Sequence, residues 1–245
     1  MLDNQTQEKM KAMRLLGMAG AYQEQKESAM YANMSFEERI GILIDREYTR
    51  RENTRYNTAL TKAKLKYRGA VLEDIDYSSD RGIKRDLIEG LRDSEWIKNH
   101  LNLVVTGATG TGKTWLACAL AHQACRNGMK AFFQRLPIML EEFKLSHADG
   151  TFHKKLSELN KFDLLILDDL GISQIDQQGR GDLLEVIDSR SDSKSTIITS
   201  QLPVSKWHEY LASGNPTAAD SILDRIANGS IRIEMAGESM RKKRR

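Results

Sequence analysis

The chain has 245 residues, 40% of them apolar, and a formal net charge of only +3. That length suits one domain of about 150–200 residues plus a smaller piece. No stretch carries the ~20 consecutive apolar residues of a membrane span, and charges scattered through the opening MLDNQTQEKMKAMRLLGMAG break up the apolar core of a secretory signal, so a cytoplasmic protein without a membrane partner is expected.

Residues 1–68 read as helix throughout, with no proline and with their few glycines clustered at Gly17, Gly20 and Gly41. Ser35 followed by Glu38 is a capping box. Behind it Phe36, Ile40, Leu43, Ile44 and Tyr48 recur at helical spacing. Leu60, Ala63 and Leu65 then continue a thinner apolar stripe between lysines. From Arg46 to Arg68 there are eight basic residues against two acidic ones. The expectation is a small helical domain over 1–68 that contacts partner subunits, another protein or DNA. Turn chemistry in Ser78, Ser79, Asp80 and Gly82 makes 69–82 a linker.

From residue 83 to 236 the pattern changes. Short apolar runs at 101–106, 130–135, 163–168, 195–200 and 230–235 alternate with helical stretches near 113–127, 137–146, 151–160, 179–190, 204–212 and 217–228. Continuously apolar strands separated by helices specify a parallel sheet covered on both faces. Gly128 stands where a helix C-cap belongs. Cys118 and Cys125 lack metal-ligand spacing and read as buried thiols. Residues 237–245 form a basic tail ending in five bases, RKKRR. Two basic ends on an acidic middle fit a polyanion partner; a solvated helix face with a solubilising tail fits equally well.

The motif that carries chemistry is Gly107-Ala108-Thr109-Gly110-Thr111-Gly112-Lys113-Thr114, between a predicted strand and the helix starting near Lys113, with Trp115 after it as a further cofactor-binding candidate. It matches G-x-x-x-x-G-K-[ST] in full. A loop whose N–H groups must converge on a phosphate needs glycine's backbone freedom and its lack of a side chain. The helix behind it turns its positive end toward the anion. Lys113 is then placed for the β- and γ-phosphates of ATP and Thr114 for Mg²⁺. The apolar run Leu164–Leu167 ends in Asp168 and Asp169, at the end of a parallel strand where ligands bind. Asp168 is the expected Mg²⁺ carboxylate, and Asp169 the acid that orients the attacking water. The strand at 195–200 leads into Ser200 and Gln201, which point polar groups at the same crevice.

Taken in order, GATGTGKT, LLILDDLG, STIITSQLP, ILDRI (222–226), GESMRKK (237–243) and the early RLLGMAGAYQEQ resemble the IstB-type ATP-binding proteins of bacterial insertion sequences. These belong to the helicase-loader and initiator branch of the AAA+ ATPases. The resemblance implies an α/β P-loop NTPase fold: a five-stranded parallel sheet between helices, a small all-α N-terminal domain, and no C-terminal lid domain. It implies that strand 195–200 lies between the phosphate-loop strand and the Asp168 strand. The helices of 137–160 would be an insertion shaping a DNA path. Arg225 would be an arginine finger completing a neighbouring subunit's site, with Arg241 a partial substitute for a lid arginine. Asp169 stands where most AAA+ proteins have Glu, one methylene longer, so slow or partner-stimulated hydrolysis is expected. The implied function is an ATP-dependent head-to-tail oligomer on double-stranded DNA that serves a cognate transposase. A helicase loader on single strands is the alternative. Tyr48, Tyr56 and Tyr67, the only aromatics of the basic stretch, make a thin stacking platform and favour duplex. A small-molecule kinase or a non-hydrolysing ATP binder are the remaining alternatives.

Overall fold

The computed structural model describes residues 2–77, 81–212, 216–227 and 229–240. The turn residues Ser78, Ser79 and Asp80, and the RKKRR tail with Arg241, lie outside them. The chain divides into two compact units, Met1–Thr58 and Ala59–Arg245. Among the described residues no helix is long and apolar enough to cross a membrane.

The first unit contains α1 (Leu2–Ala12), α2 (Leu16–Glu27) and most of α3 (Phe36–Lys62). The capping box forms: Ser35 N–H donates to Glu38 Oε2 at 2.7 Å, and Glu38 N–H to Ser35 Oγ at 3.2 Å. Gly17 lets α2 approach α3, because a Cβ there would lie 2.7 Å from Arg46 O. At that crossing Glu47 Oε2 accepts from the Gly17 and Met18 amides, two of α2's orphan donors. Arg50 and Arg51 pair with the same carboxylate at 2.8 and 2.7 Å. Hydrogen bonding from Arg50 first, then Arg51 and the two amides, lowers the Glu47 pKa from 4.5 to about 2 against the opposing effect of burial.

The second unit is built on a five-stranded parallel sheet: β1 (Leu103–Gly107), β2 (Ala131–Arg135), β3 (Leu164–Leu170), β4 (Ser195–Ser200) and β5 (Ile231–Met235), in the order β2-β3-β4-β1-β5. β4 lies between β1 and β3, as the resemblance implies. Its helices are α4 (Arg85–Leu91), α5 (Glu95–Lys98), α6 (Lys113–Arg126), α7 (Leu136–Ala148), α8 (Phe152–Leu159), α9 (Gln177–Arg190), α10 (Trp207–Leu211) and α11 (Pro216–Ala227). The short helices α4 and α5 escape the sequence pattern. Leu164 to Leu167 are fully buried, as a strand covered on both faces requires. Gly128, at φ 79°, caps α6, with the Met129 amide returning to Ala124 O. Cys118 and Cys125 are buried and free, and burial pushes both thiols up to about 11.

The two units divide between Thr58 and Ala59, ahead of the expected boundary at 68. Residues 59–68 belong to the second unit, where Ala63 and Leu65 are buried and Ala63 O accepts from the Phe133 amide. The stretch expected as a linker buries Ala70, Leu72 and Ile75. These apolar residues pack within the second unit.

Candidate functional site

β1 delivers the chain into the glycine-rich loop at the sheet's C-terminal edge, and α6 starts at Lys113. Gly107, Gly110 and Gly112 sit at φ 145°, 87° and 102°, angles that L side chains rarely adopt. Lys113 Nζ donates to Gly107 O and Ala108 O at 2.8 Å each, so the ammonium is held over the loop. Thr111 Oγ1 also donates to Ala108 O. Thr109 Oγ1 donates to Gln201 Oε1 at 2.7 Å, tying the loop to the end of β4.

Next to the loop, Thr114 Oγ1 donates to Asp168 Oδ1 at 2.8 Å, and Thr199 Oγ1 donates to the same oxygen at 2.6 Å. Asp168 is fully buried, and its Oδ2 has no hydrogen-bond partner among the described residues. Burial raises the Asp168 pKa; the two hydroxyls oppose the rise and the neighbouring Asp169 charge adds to it. A buried, unpartnered carboxylate oxygen beside a hydroxyl is a donor set that fits a hard divalent cation.

Asp169 follows at φ 71°, left-handed backbone that Asp tolerates better than most residues. A register shift between β3 and β4 accompanies it: Leu167 pairs with Ile198, but Leu170 with Ser200. The extra residue turns Asp169 out of the strand, where Arg135 Nε and Nη2 hold its Oδ2 at 2.9 Å and Thr199 Oγ1 accepts from its amide at 3.1 Å. Arg135 is both the last residue of β2 and the N-cap of α7, so it stands at the same edge.

The loop and Asp169 border a cavity of about 610 Å³, large enough for a nucleotide. Its lining includes Thr109 through Trp115, Asp169 and Gln201. The opposite wall comes from Asp74, Ile75 and Arg81, in the stretch expected to be a linker, and from Tyr67, Arg68 and Ile83 on either side of it.

Other expected site residues lie elsewhere. Ser200 does not face the cavity: it is fully buried, donates through Oγ to Leu170 O and accepts from the Leu202 amide. The β4 hydroxyl that meets the two acids is Thr199, one residue earlier: the register that pairs Leu167 with Ile198 brings Thr199 beside Asp168, and the bulge beyond it leaves Ser200 to Leu170. A polar residue closing an apolar strand was the available signal; the bulge has no sequence signature. Arg225, on α11, does not line its own chain's cavity; its Nε pairs with Asp188 Oδ1 at 2.7 Å. Of the eight bases from Arg46 to Arg68, four are ion-paired: Arg46 to Glu24, Arg50 and Arg51 to Glu47, and Arg55 to Glu52.

With this geometry in view, the likeness to known proteins becomes specific. The IstB-like ATP binding protein family matches residues 8–245. The insertion sequence ATP-binding protein y4pL of Sinorhizobium fredii is 43% identical over 245 residues, which cover 100% of this chain and 99% of that one. Among solved structures, DnaI superposes with a TM-score of 0.59 at 23% identity, over 74% of this chain and 94% of that chain. The DnaC helicase loader gives 0.54 at 21%, over 69% and 98%. These two show a shared fold; the sequence match over nearly the whole length shows the family. On that match, and on the loop and paired acids it encompasses, the chain belongs to the IstB-like ATP binding protein family of AAA+ ATPases.

Proposed function

We propose that this ATPase assembles head-to-tail on duplex DNA in its ATP-bound form, serves the transposase of its insertion sequence, and leaves the DNA on hydrolysis. The observation that carries the reading is the joint placement of Lys113, Thr114, Asp168 and Asp169 at one edge of the sheet, with Asp168 Oδ2 unpartnered.

The loop amides and Lys113 bind the phosphates, and Lys113 exchanges its carbonyl partners for phosphate oxygens. Thr114 and Asp168 are the residues that hold Mg²⁺, which when bound neutralises charge on the β- and γ-phosphates. Asp169 orients the attacking water, and Thr199 fixes both acids relative to each other. Arg225, paired on its own surface with Asp188, completes the site of the next subunit and stabilises charge on the transferred group. An isolated subunit then hydrolyses slowly, and assembly switches the rate.

Self-assembly is supported by α3. Phe36 (74% exposed), Ile44 (52%) and Tyr48 (67%) follow the i, i+4 spacing on one exposed face with Ile40, and only Leu43 of the expected apolar set is buried. A contiguous exposed apolar stripe is an association surface. Because four bases of the early run already have acid partners, phosphate neutralisation falls mainly on Lys62, Lys64, Lys66 and the RKKRR tail. Such contacts are sequence-tolerant and weaken steeply with salt.

The test is electron microscopy and a salt-dependent binding assay with duplex DNA and a non-hydrolysable ATP analogue, on wild type and Lys113→Ala. Wild type is expected to form ordered assemblies on duplex only with nucleotide, and the variant none. Nucleotide-stabilised assemblies of Lys113→Ala would sink the mechanism. Assembly restricted to single strands would favour helicase loading instead.

A further inference from the structure

Beyond β5 the chain turns back across the phosphate loop and touches it repeatedly. Gly107 pairs in register with Met235, and a Cβ on Gly107 would lie 2.1 Å from Met235 O. Five residues past the end of β5, the Met240 amide donates to Gly110 O at 2.9 Å. A Cβ on Gly110 would lie 2.1 Å from Ser239 Oγ and 2.7 Å from Ser239 Cβ. Met235 and Met240 both line the cavity. On its other side this segment is tied to the opposite wall: the Ala236 amide donates to Arg81 O at 3.0 Å, and a Cβ on Gly82 would meet Glu234 O.

We propose that Gly237–Met240 is a wall of the nucleotide site that sets the conformation of the phosphate loop, with Ser239 and Met240 as positioning residues. The proposal rests on the ATP reading and adds to it a segment outside the glycine-lysine motif. The physical reason is peptide planarity. The Gly110 carbonyl and the Thr111 N–H belong to one trans peptide and point in opposite directions. Anchoring Gly110 O on the Met240 amide therefore turns the Thr111 N–H away from the segment and into the loop, where it lies 3.4 Å from Ala108 O. That long contact is readily exchanged for a phosphate oxygen. Ser239 fills the space that a side chain at position 110 would need, so the glycine is required by its partner as well as by its backbone angle. The Met240 side chain supplies an apolar surface at the cavity rim, where its flexible thioether adapts to a bound ligand.

The test is titration of fluorescent ATP into the full chain without DNA, with melting temperature measured in parallel. Gly110→Ala is expected to weaken binding by about tenfold or more, and adding Ser239→Gly to recover at least about threefold of it, because the clash with Ser239 is relieved while the backbone strain remains. Met240→Ala should weaken binding about threefold to tenfold, and Met240→Leu should stay within about twofold of wild type. A merely structural segment would lower the melting temperature of Met240→Ala and leave its affinity unchanged. The proposal is overturned if Ser239→Gly recovers nothing and Met240→Ala binds ATP as wild type does. Wild-type protein without affinity for ATP would bring down the nucleotide reading itself, and this wall with it.

Discussion

Thr199 Oγ1 donates to Asp168 and accepts from the amide of Asp169, so one hydroxyl fixes together the acid proposed to hold the cation and the acid proposed to orient water. Thr199→Val keeps the shape and removes both bonds. It is expected to lower kcat about 10–100-fold with little change in KM for ATP, since the phosphate loop is untouched. Steady-state phosphate release under assembling conditions measures this, and a kcat within twofold of wild type would dismiss the role. The residue also marks the limit of what the sequence reveals at this scale. The glycines, Lys113, Thr114 and the two acids are legible because phosphate and metal chemistry constrain residue type and spacing tightly. Thr199 is not, because which of the polar residues ending β4 meets the acids depends on the register between β3 and β4, which residue type does not encode. Ser200 has the same chemistry, yet the fold gives it the closing of the β3–β4 edge.

At the scale of elements, the five strands and the longer helices follow from periodicity alone, because strands covered on both faces must be continuously apolar. What periodicity misses is the use of polar residues within elements. The basic α3 run that reads as a polyanion-binding stripe is partly an internal network around Glu47. Its folded pKa lies below its unfolded value, so its contribution to stability is complete above about pH 4.5 and is lost as the pH falls toward 2. The melting difference between wild type and Glu47→Gln is accordingly expected to be largest above pH 5 and to vanish on approach to pH 2; a pH-independent difference would remove the network's role. Arg190 is a second such case. It ends α9 almost fully buried, and burial lowers its pKa to about 10, which leaves it charged at neutral pH. It donates to Leu159 O, Phe162 O, Ser195 O and Thr196 Oγ1, joining the ends of α8 and β4. Arg190→Met strands several buried carbonyls and is expected to destabilise by about 3 kcal/mol, lowering the melting temperature by roughly 6–12 °C. Thermal unfolding measures it, and a shift under 2 °C would show that the carbonyls find other partners.

For the whole molecule, the decisive question is whether catalysis belongs to one chain or to two. The cavity contains the phosphate loop and Asp169 but not Arg225. Nothing in a single sequence reveals which subunit uses an arginine, because residue type does not encode what another copy brings near it. If Arg225 acts across a head-to-tail contact, two defects at opposite ends of that contact must complement each other. Arg225→Ala leaves a subunit with a sound site and no finger; Asp169→Asn leaves one with a finger and no water-orienting acid. Each alone is expected to lose most of the DNA-stimulated activity, up to about a thousandfold for the arginine. In an equal mixture, random neighbours place a sound site against a sound finger in about a quarter of the contacts, and activity should return to that fraction of wild type. Ile44→Asp introduced into both variants, on the exposed α3 face, should reduce the recovered activity if that stripe holds the assembly together. A mixture no more active than its components, although it assembles on DNA like wild type, would assign Arg225 a role confined to its own chain and its pairing with Asp188.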